Sequence, residues 1–296
     1  MKIRVLLLIA VLISATACGK TPEPRRKSYN HTWPQRPVAL VVAEWNGRPY
    51  IIASAFSIDE SGRFFTAKHF TDELFSLGIE TCTLFYNGSV YEASVAKIPP
   101  LRDAAALTIN GKFDPSPYPM PYKRTARKLK VGEKVFIEGF HPHPFYIREA
   151  NAAEGFPDTV ISILKDYYGI EMHDKNRESE IVSDRLEARV LATREKIKLA
   201  GKDDEWGKVK DDINYYIKVK TDRNHKFSFG GLSGGPVTNG RGELIGLITA
   251  EQVVRMEFDD RGMLINPFAA QFKAVSDTTY VTPIEEILDL YSSIGN

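Results

Sequence analysis

"GGLSGGPVTNGRGELIGLITA", residues 230–250, places one serine among glycines and follows it with an apolar, strand-like run. Glycine reaches positive φ at no steric cost. Gly231, Gly234 and Gly235 therefore let the backbone turn tightly and aim successive N–H groups at one point. Ser233 is either a nucleophile or an ordinary member of a glycine-rich turn. A serine hydroxyl is a poor nucleophile near neutral pH. It needs a base to take its proton, a group to orient that base, and donors for the developing oxyanion.

Those partners have to come from elsewhere in the chain. From Val38 onward the runs "VALVVAEW", "YIIASAFSI", "RFFTA", "TCTLFY" and "VYEASVAKI" are short, apolar and β-branched. Asn46-Gly47, Glu60-Ser61-Gly62 and Asn87-Gly88 separate them with turn residues. Short strands at close spacing indicate an all-β sandwich or barrel. His69 stands at the end of "FFTAKH", so its ring is expected at a strand end. Asp103 opens "DAAALTI"; an acid before an apolar strand is partly buried, and a buried carboxylate needs a partner such as an imidazole N–H. Cys82 lies within a strand run and reads as core.

Thr66-Ala67-Lys68-His69, Asp103-Ala104-Ala105-Ala106-Leu107 and Gly231-Leu232-Ser233-Gly234-Gly235-Pro236 resemble the three catalytic blocks of trypsin-like (chymotrypsin-fold) serine peptidases, in the same His, Asp, Ser order. "GELIGLITA" (242–250) is similar to the strand after the nucleophile in bacterial high-temperature-requirement (HtrA-type) peptidases. "VGEKVFIEGF" (131–140) and "YVTPIEEIL" (280–288) look like further strands of that type, the latter with its terminal helix. The resemblance spans roughly residues 38–145 and 226–294. It implies a mainly β fold, a double six-stranded β-barrel with a C-terminal helix, and a serine endopeptidase that needs no cofactor. It also implies roles: His69 as general base and then acid, Asp103 holding its tautomer, Ser233 attacking the scissile carbonyl, and the N–H groups of Gly231 and Ser233 as oxyanion hole. Ile248, Thr249, Ala250 and Glu251 would pair with substrate backbone as an added strand. Phe227 falls where such peptidases have the base of the specificity pocket, and an apolar group there argues against Lys or Arg at the cleavage site; His225 and Lys226 are alternative lining residues. Leu232 departs from the Asp that pairs with a freed N-terminus in digestive members, so that route of activation is excluded. No PDZ-like second domain is expected after Asn296.

The resemblance leaves out a charged middle block. In "SEIVSDRLEARVLATREKIKLAG" (179–201), Val182, Leu186, Val190 and Ile197 fit one helical stripe. Asp158–Tyr168 is a second helical candidate. The expectation is a helical insertion at about 156–219, either a lid or partner-binding element near the cleft or a decoration far from it. "HPHP" (141–144) offers two histidines at i, i+2 but no third ligand in view, so no metal site is expected.

The first residues, "MKIRVLLLIAVLISATACGK", read as an export signal over 1–17: Lys2 and Arg4, a short apolar run, then small residues. Ala15-Thr16-Ala17-Cys18 resembles the lipobox of bacterial lipoproteins, with Ala15 where Leu is usual. That resemblance implies lipidation at Cys18 and a membrane-anchored lipoprotein of the bacterial cell envelope, on the periplasmic face if two membranes are present; an ordinary secretory signal is the alternative. Residues 18–36 then form a Pro-containing tether, and 37–296 the peptidase domain. Cys82 would be left as a lone thiol, so export brings no internal disulfide. The chain's formal charge is +1. Such a balance excludes a strong nucleic-acid footprint. The expected partners are a protein or peptide substrate, a membrane through the lipid, and a protein partner at the insertion. Two alternatives stand beside the peptidase: a protease-fold binding module with an occluded site, and an esterase using the same residues.

Overall fold

A computed structural model of the chain describes residues 36–97, 103–114, 122–123, 127–153, 159–161, 163–170, 179–199, 212–222, 229–249, 254–255, 257–258, 264–265 and 277–294. Strands β1 (Val38–Trp45) and β2 (Arg48–Phe56) form a hairpin about Asn46-Gly47, with φ of 53° and 73°. Positive φ at both turn positions matches the right-handed twist of the flanking strands. β3 (Arg63–Thr66), helix α1 (Lys68–Ser76), β4 (Thr81–Tyr86), β5 (Ser89–Lys97) and β6 (Ala105–Ile109) follow. The strands run β1-β4-β5-β6-β3-β2, and β1 pairs with β2 to close the ring. Its interior holds Val41, Ile51, Phe64, Phe70, Leu84, Cys82 and Leu107. Cys82 is therefore a core residue, and desolvation, helped by Glu92, pushes its thiol up to about 12.

The second half supplies β7 (Lys134–Pro144), α2 (Phe145–Ala153), β8 (Thr159–Ile161), α3 (Ile163–Asp166), β9 (Ser179–Leu199), β10 (Asp212–Thr221), β11 (Pro236–Asn239) and β12 (Leu244–Thr249). Three two-residue strands come next: β13 (Val254–Arg255), β14 (Glu257–Phe258) and β15 (Leu264–Ile265). β16 (Thr278–Pro283) and α4 (Ile284–Ile294) end the described chain. A second ring runs β10-β16-β12-β11-β7-β9 and closes through β9–β10, with β8 added on β9. The fold is thus mainly β, two closed six-stranded antiparallel barrels with a C-terminal helix, the chymotrypsin-like arrangement.

The middle block corrects one expectation. The stretch read as an amphipathic helix is the 21-residue strand β9, and the second helical candidate divides into a strand at Thr159–Ile161 and the short helix α3 at Ile163–Asp166. Far from being an insertion, β9 and β10 complete the second barrel. Residues spaced by four fit a helix of period 3.6, but they also share one face of a strand of period two. Val182, Ala188 and Val190 are buried, whereas Arg185, Glu187 and Arg189 between them are exposed. Pairing with β7 on one side and β10 on the other fixes the strand, whatever its local propensity.

Helix α4 ties the barrels together. Ile284, Ile287 and Leu290 are buried against Phe56, Phe65 and Ala104 of the first barrel and Leu244 and Leu247 of the second. Each such side chain contributes about 1.5–3 kcal/mol.

Candidate active site

The site lies between the barrels. β3 stops at Thr66, Ala67 takes extended backbone at the helix cap, and His69 sits in the first turn of α1. The histidine therefore rides on a helix rather than on a strand end. Asp103 lies two residues before β6. One of its oxygens, Oδ1, accepts the His69 backbone N–H at 3.0 Å. The His69 ring presents Nδ1 to Oδ2 at 3.0 Å and to Oδ1 at 3.1 Å. Backbone and ring are thus anchored to one carboxylate, which sets the ring's plane. The other nitrogen, Nε2, is 2.9 Å from Ser233 Oγ. With the proton on Nδ1 facing Asp103, Nε2 carries the lone pair that accepts from the serine hydroxyl.

Electrostatics support that assignment. Burial, the largest influence, lowers the His69 pKa, but the charge and hydrogen bond of Asp103, with help from Asp72, outweigh it and the net shift is upward from 6.5. Burial likewise raises Asp103, yet the His69 charge, hydrogen bonds from the His69 ring and backbone, and a hydrogen bond from the Thr249 hydroxyl bring it below 3.8. Buried Tyr216 faces the same carboxylate; desolvation first, and the Asp103 charge second, push its phenol up.

The serine loop is held by its glycines. Gly231 and Gly234 have φ of +87° and +83°. A Cβ on Gly231 would lie 2.8 Å from Phe140 O and 3.0 Å from His141 Cα. One on Gly234 would collide with Ser54 O and Thr66 Oγ1, and would lie 2.7 Å from Ala67 N. Ser54, fully buried, is the hub: its N–H donates to Ser233 O at 2.9 Å, its hydroxyl to Gly231 O at 2.8 Å, and it accepts from Phe140 N–H at 2.8 Å. Among the described residues, no hydrogen bond takes up the N–H of Gly231 or of Ser233. Leu232 packs fully buried in the second barrel's core, which accounts for an apolar residue there.

The structure brings His69, Asp103, Ser233 and Gly231 together, and it sorts the substrate candidates. Ile248 is buried in the second core. Its N–H donates to Gly235 O at 2.8 Å and its carbonyl accepts from Gly234 N–H at 2.9 Å, so its backbone holds the serine loop and is not available to a peptide. The Thr249 hydroxyl reaches Asp103 and stands 2.8 Å from Thr282 Oγ1, a role separate from the backbone pairing with substrate expected of this residue. A threonine ending a strand carries no sequence signal for that contact. Phe227, Ala250, Glu251 and Cys18 lie outside the described residues, as do the signal segment and the tether up to residue 35. No helix among the described residues is long and apolar enough to cross a membrane.

Two closed antiparallel barrels with a His–Asp–Ser constellation between them define the chymotrypsin-like class. Among solved structures, the chain is similar to the active form of the Rv3671c protease from M. tuberculosis, at 17% identity and TM-score 0.50, covering 88% of this chain and 82% of that one. It is also similar to the inactive form of the Rv3671c protease, at 18% identity and TM-score 0.48, covering 88% and 90%. No family model matches the chain, and no curated protein matches it in sequence.

Proposed function

We propose that the chain is a serine endopeptidase of the bacterial cell envelope. The observation that carries this is the unbroken relay from Asp103 through His69 to Ser233 Oγ, with contacts of 3.0 and 2.9 Å. His69 Nε2 takes the hydroxyl proton as Oγ attacks the peptide carbonyl. Asp103 stabilises the imidazolium, which then protonates the leaving amine; water hydrolyses the acyl-enzyme by the same steps. The N–H groups of Gly231 and Ser233 receive the oxyanion. Thr249, Ala250 and Glu251 flank the bound peptide, and Phe227 shapes the pocket for its side chain. A protease among the chains of similar fold agrees with this reading.

The finer reading is an HtrA-type protease domain, exported by residues 1–17 and anchored through lipid on Cys18. Its support is the sequence around those positions. Cys18→Ala should release the protein from the membrane fraction, and persistence there would remove the anchor from the proposal. The test of the chemistry is labelling with a fluorophosphonate. Wild type should be modified at Ser233 and should cleave casein; labelling without cleavage of any protein would point to an esterase. A second reading, an occluded binding module with partners at residues 156–219, is favoured by the 2% exposure of Ser233. Folded wild type that resists labelling would establish that reading in place of the first.

A further inference from the structure

β7 ends in His141-Pro142-His143-Pro144. Alternate residues of a strand share a face, so both imidazoles point to the same side. In the pairing of β7 with β9, Gly139 stands opposite Asp184 and His141 opposite Val182. Asp184 therefore joins the two histidines on that face, across a residue with no side chain. It supplies the third ligand that the sequence did not reveal, and the expectation of no metal site loses its ground.

His141 Nε2 is 3.0 Å from Asp184 Oδ2 and 2.7 Å from His143 Nε2; His143 Nε2 is 3.6 Å from the same oxygen. The rings meet edge-on, 4.2 Å between centroids at 77°. Both histidines are buried, at 0% and 1% exposure. Asp184 Oδ1 accepts the Arg185 N–H at 2.8 Å, which turns Oδ2 toward the rings. Two imidazole nitrogens and one carboxylate oxygen thus converge on a single region. A proton on His141 Nε2 can point well at only one of its two neighbours, whereas a cation accepts a lone pair from all three.

We propose that His141, His143 and Asp184 bind one divalent transition-metal ion of the Zn2+ class. Imidazole with carboxylate suits Zn2+, whereas Ca2+ and Mg2+ favour all-oxygen sets. Tetrahedral ligands at about 2.0–2.2 Å from zinc stand about 3.3 Å apart, so the two rings need separate by only about half an ångström. Three protein ligands leave a fourth position open. The ion would also brace the serine loop, because Phe140 O and His141 Cα crowd the position that a Cβ on Gly231 would take.

The test uses the full chain and zinc alone, and it does not depend on the peptidase reading. Chelator-stripped wild type, dialysed against Zn2+, should retain one zinc per chain by elemental analysis, and X-ray absorption should show imidazole in its first shell. His143→Gln and Asp184→Asn should each weaken zinc affinity by more than the roughly 10–100-fold that loss of an outer-shell partner costs. Zn2+, and not Mg2+, should raise the Tm of stripped wild type, a readout that survives even if the variants fail to fold. Retention no higher than in a metal-free control, a first shell without imidazole, or folded variants with unchanged affinity would each overturn the proposal.

Discussion

Two histidine–carboxylate clusters flank the serine loop, and they are built in opposite senses. In the first, the carboxylate is the sheltered partner: Asp103 is 12% exposed and His69 27%. In the second, the imidazole is sheltered: the His141 side chain is 1% exposed and that of Asp184 25%. Both pairs sit at 3.0 Å. What differs is the third group. His69 turns its far nitrogen to a hydroxyl, which can give up a proton, whereas His141 meets a second imidazole. The first cluster is thus arranged to move a proton and the second to hold a cation. A histidine–aspartate pair does not define a function by itself; the atom beyond it does.

The largest expected effect tests the hydroxyl. Ser233→Ala should abolish fluorophosphonate labelling and lower kcat by on the order of 10⁶-fold. Retained turnover on a peptide would break the contrast between the clusters. Asp103→Asn comes next, with an expected fall in kcat of about 10⁴-fold, because the amide favours the wrong imidazole tautomer. The pH profile checks the same contact. His69 must be neutral to act as base, and its pKa is raised above 6.5 by Asp103. The acid limb of kcat/KM should therefore lie above about 6.5, with activity rising as pH rises through it, and Asp103→Asn should move it down. A wild-type limb below the ordinary histidine range would show that the carboxylate does not govern His69.

The first barrel and the relay were legible because their signals are local. Asn46-Gly47 and Asn87-Gly88 need positive φ, which their backbones adopt. His69, Asp103 and Ser233 stand in segments whose neighbours repeat a known pattern. β9 was not legible: Val182, Leu186 and Val190 are spaced by four, which helix and strand both accept, and its flanking charges suit either. The strand is decided by its pairing with β7 and β10, which lie outside the stretch itself. The contact of Thr249 with Asp103 and the approach of Asp184 to His141 depend in the same way on register between strands.

Glycine substitutions carry the comparison to the loop that both clusters flank. Gly234 and Gly242 both have positive φ, +83° and +74°, but a Cβ meets the Ser54 and Thr66 oxygens at the first and open space at the second. Gly242→Ala should cost about 1–2 kcal/mol from backbone strain alone. Gly234→Ala adds overpacking and should cost about 2–5 kcal/mol in total. Thermal or denaturant unfolding of the two variants checks this, and equal losses would mean that the loop is not clamped at Gly234.

Thr249→Val is the smallest change and separates the clusters most cleanly. The hydroxyl is one of the donors that keep Asp103 ionised. A hydrogen bond to a charged group is worth about 1.5–3 kcal/mol, but Asp103 retains the ring and backbone donors of His69, so the expected loss is at the low end, about tenfold in kcat. With one donor fewer, the still-ionised carboxylate accepts the His69 ring N–H more strongly and stabilises the imidazolium more, so the acid limb should shift up. Serine, which restores the hydroxyl, should recover both, whereas a purely structural role for the threonine would leave the limb where it was. Zinc affinity should not change, because Thr249 has no part in the cluster on β7 and β9.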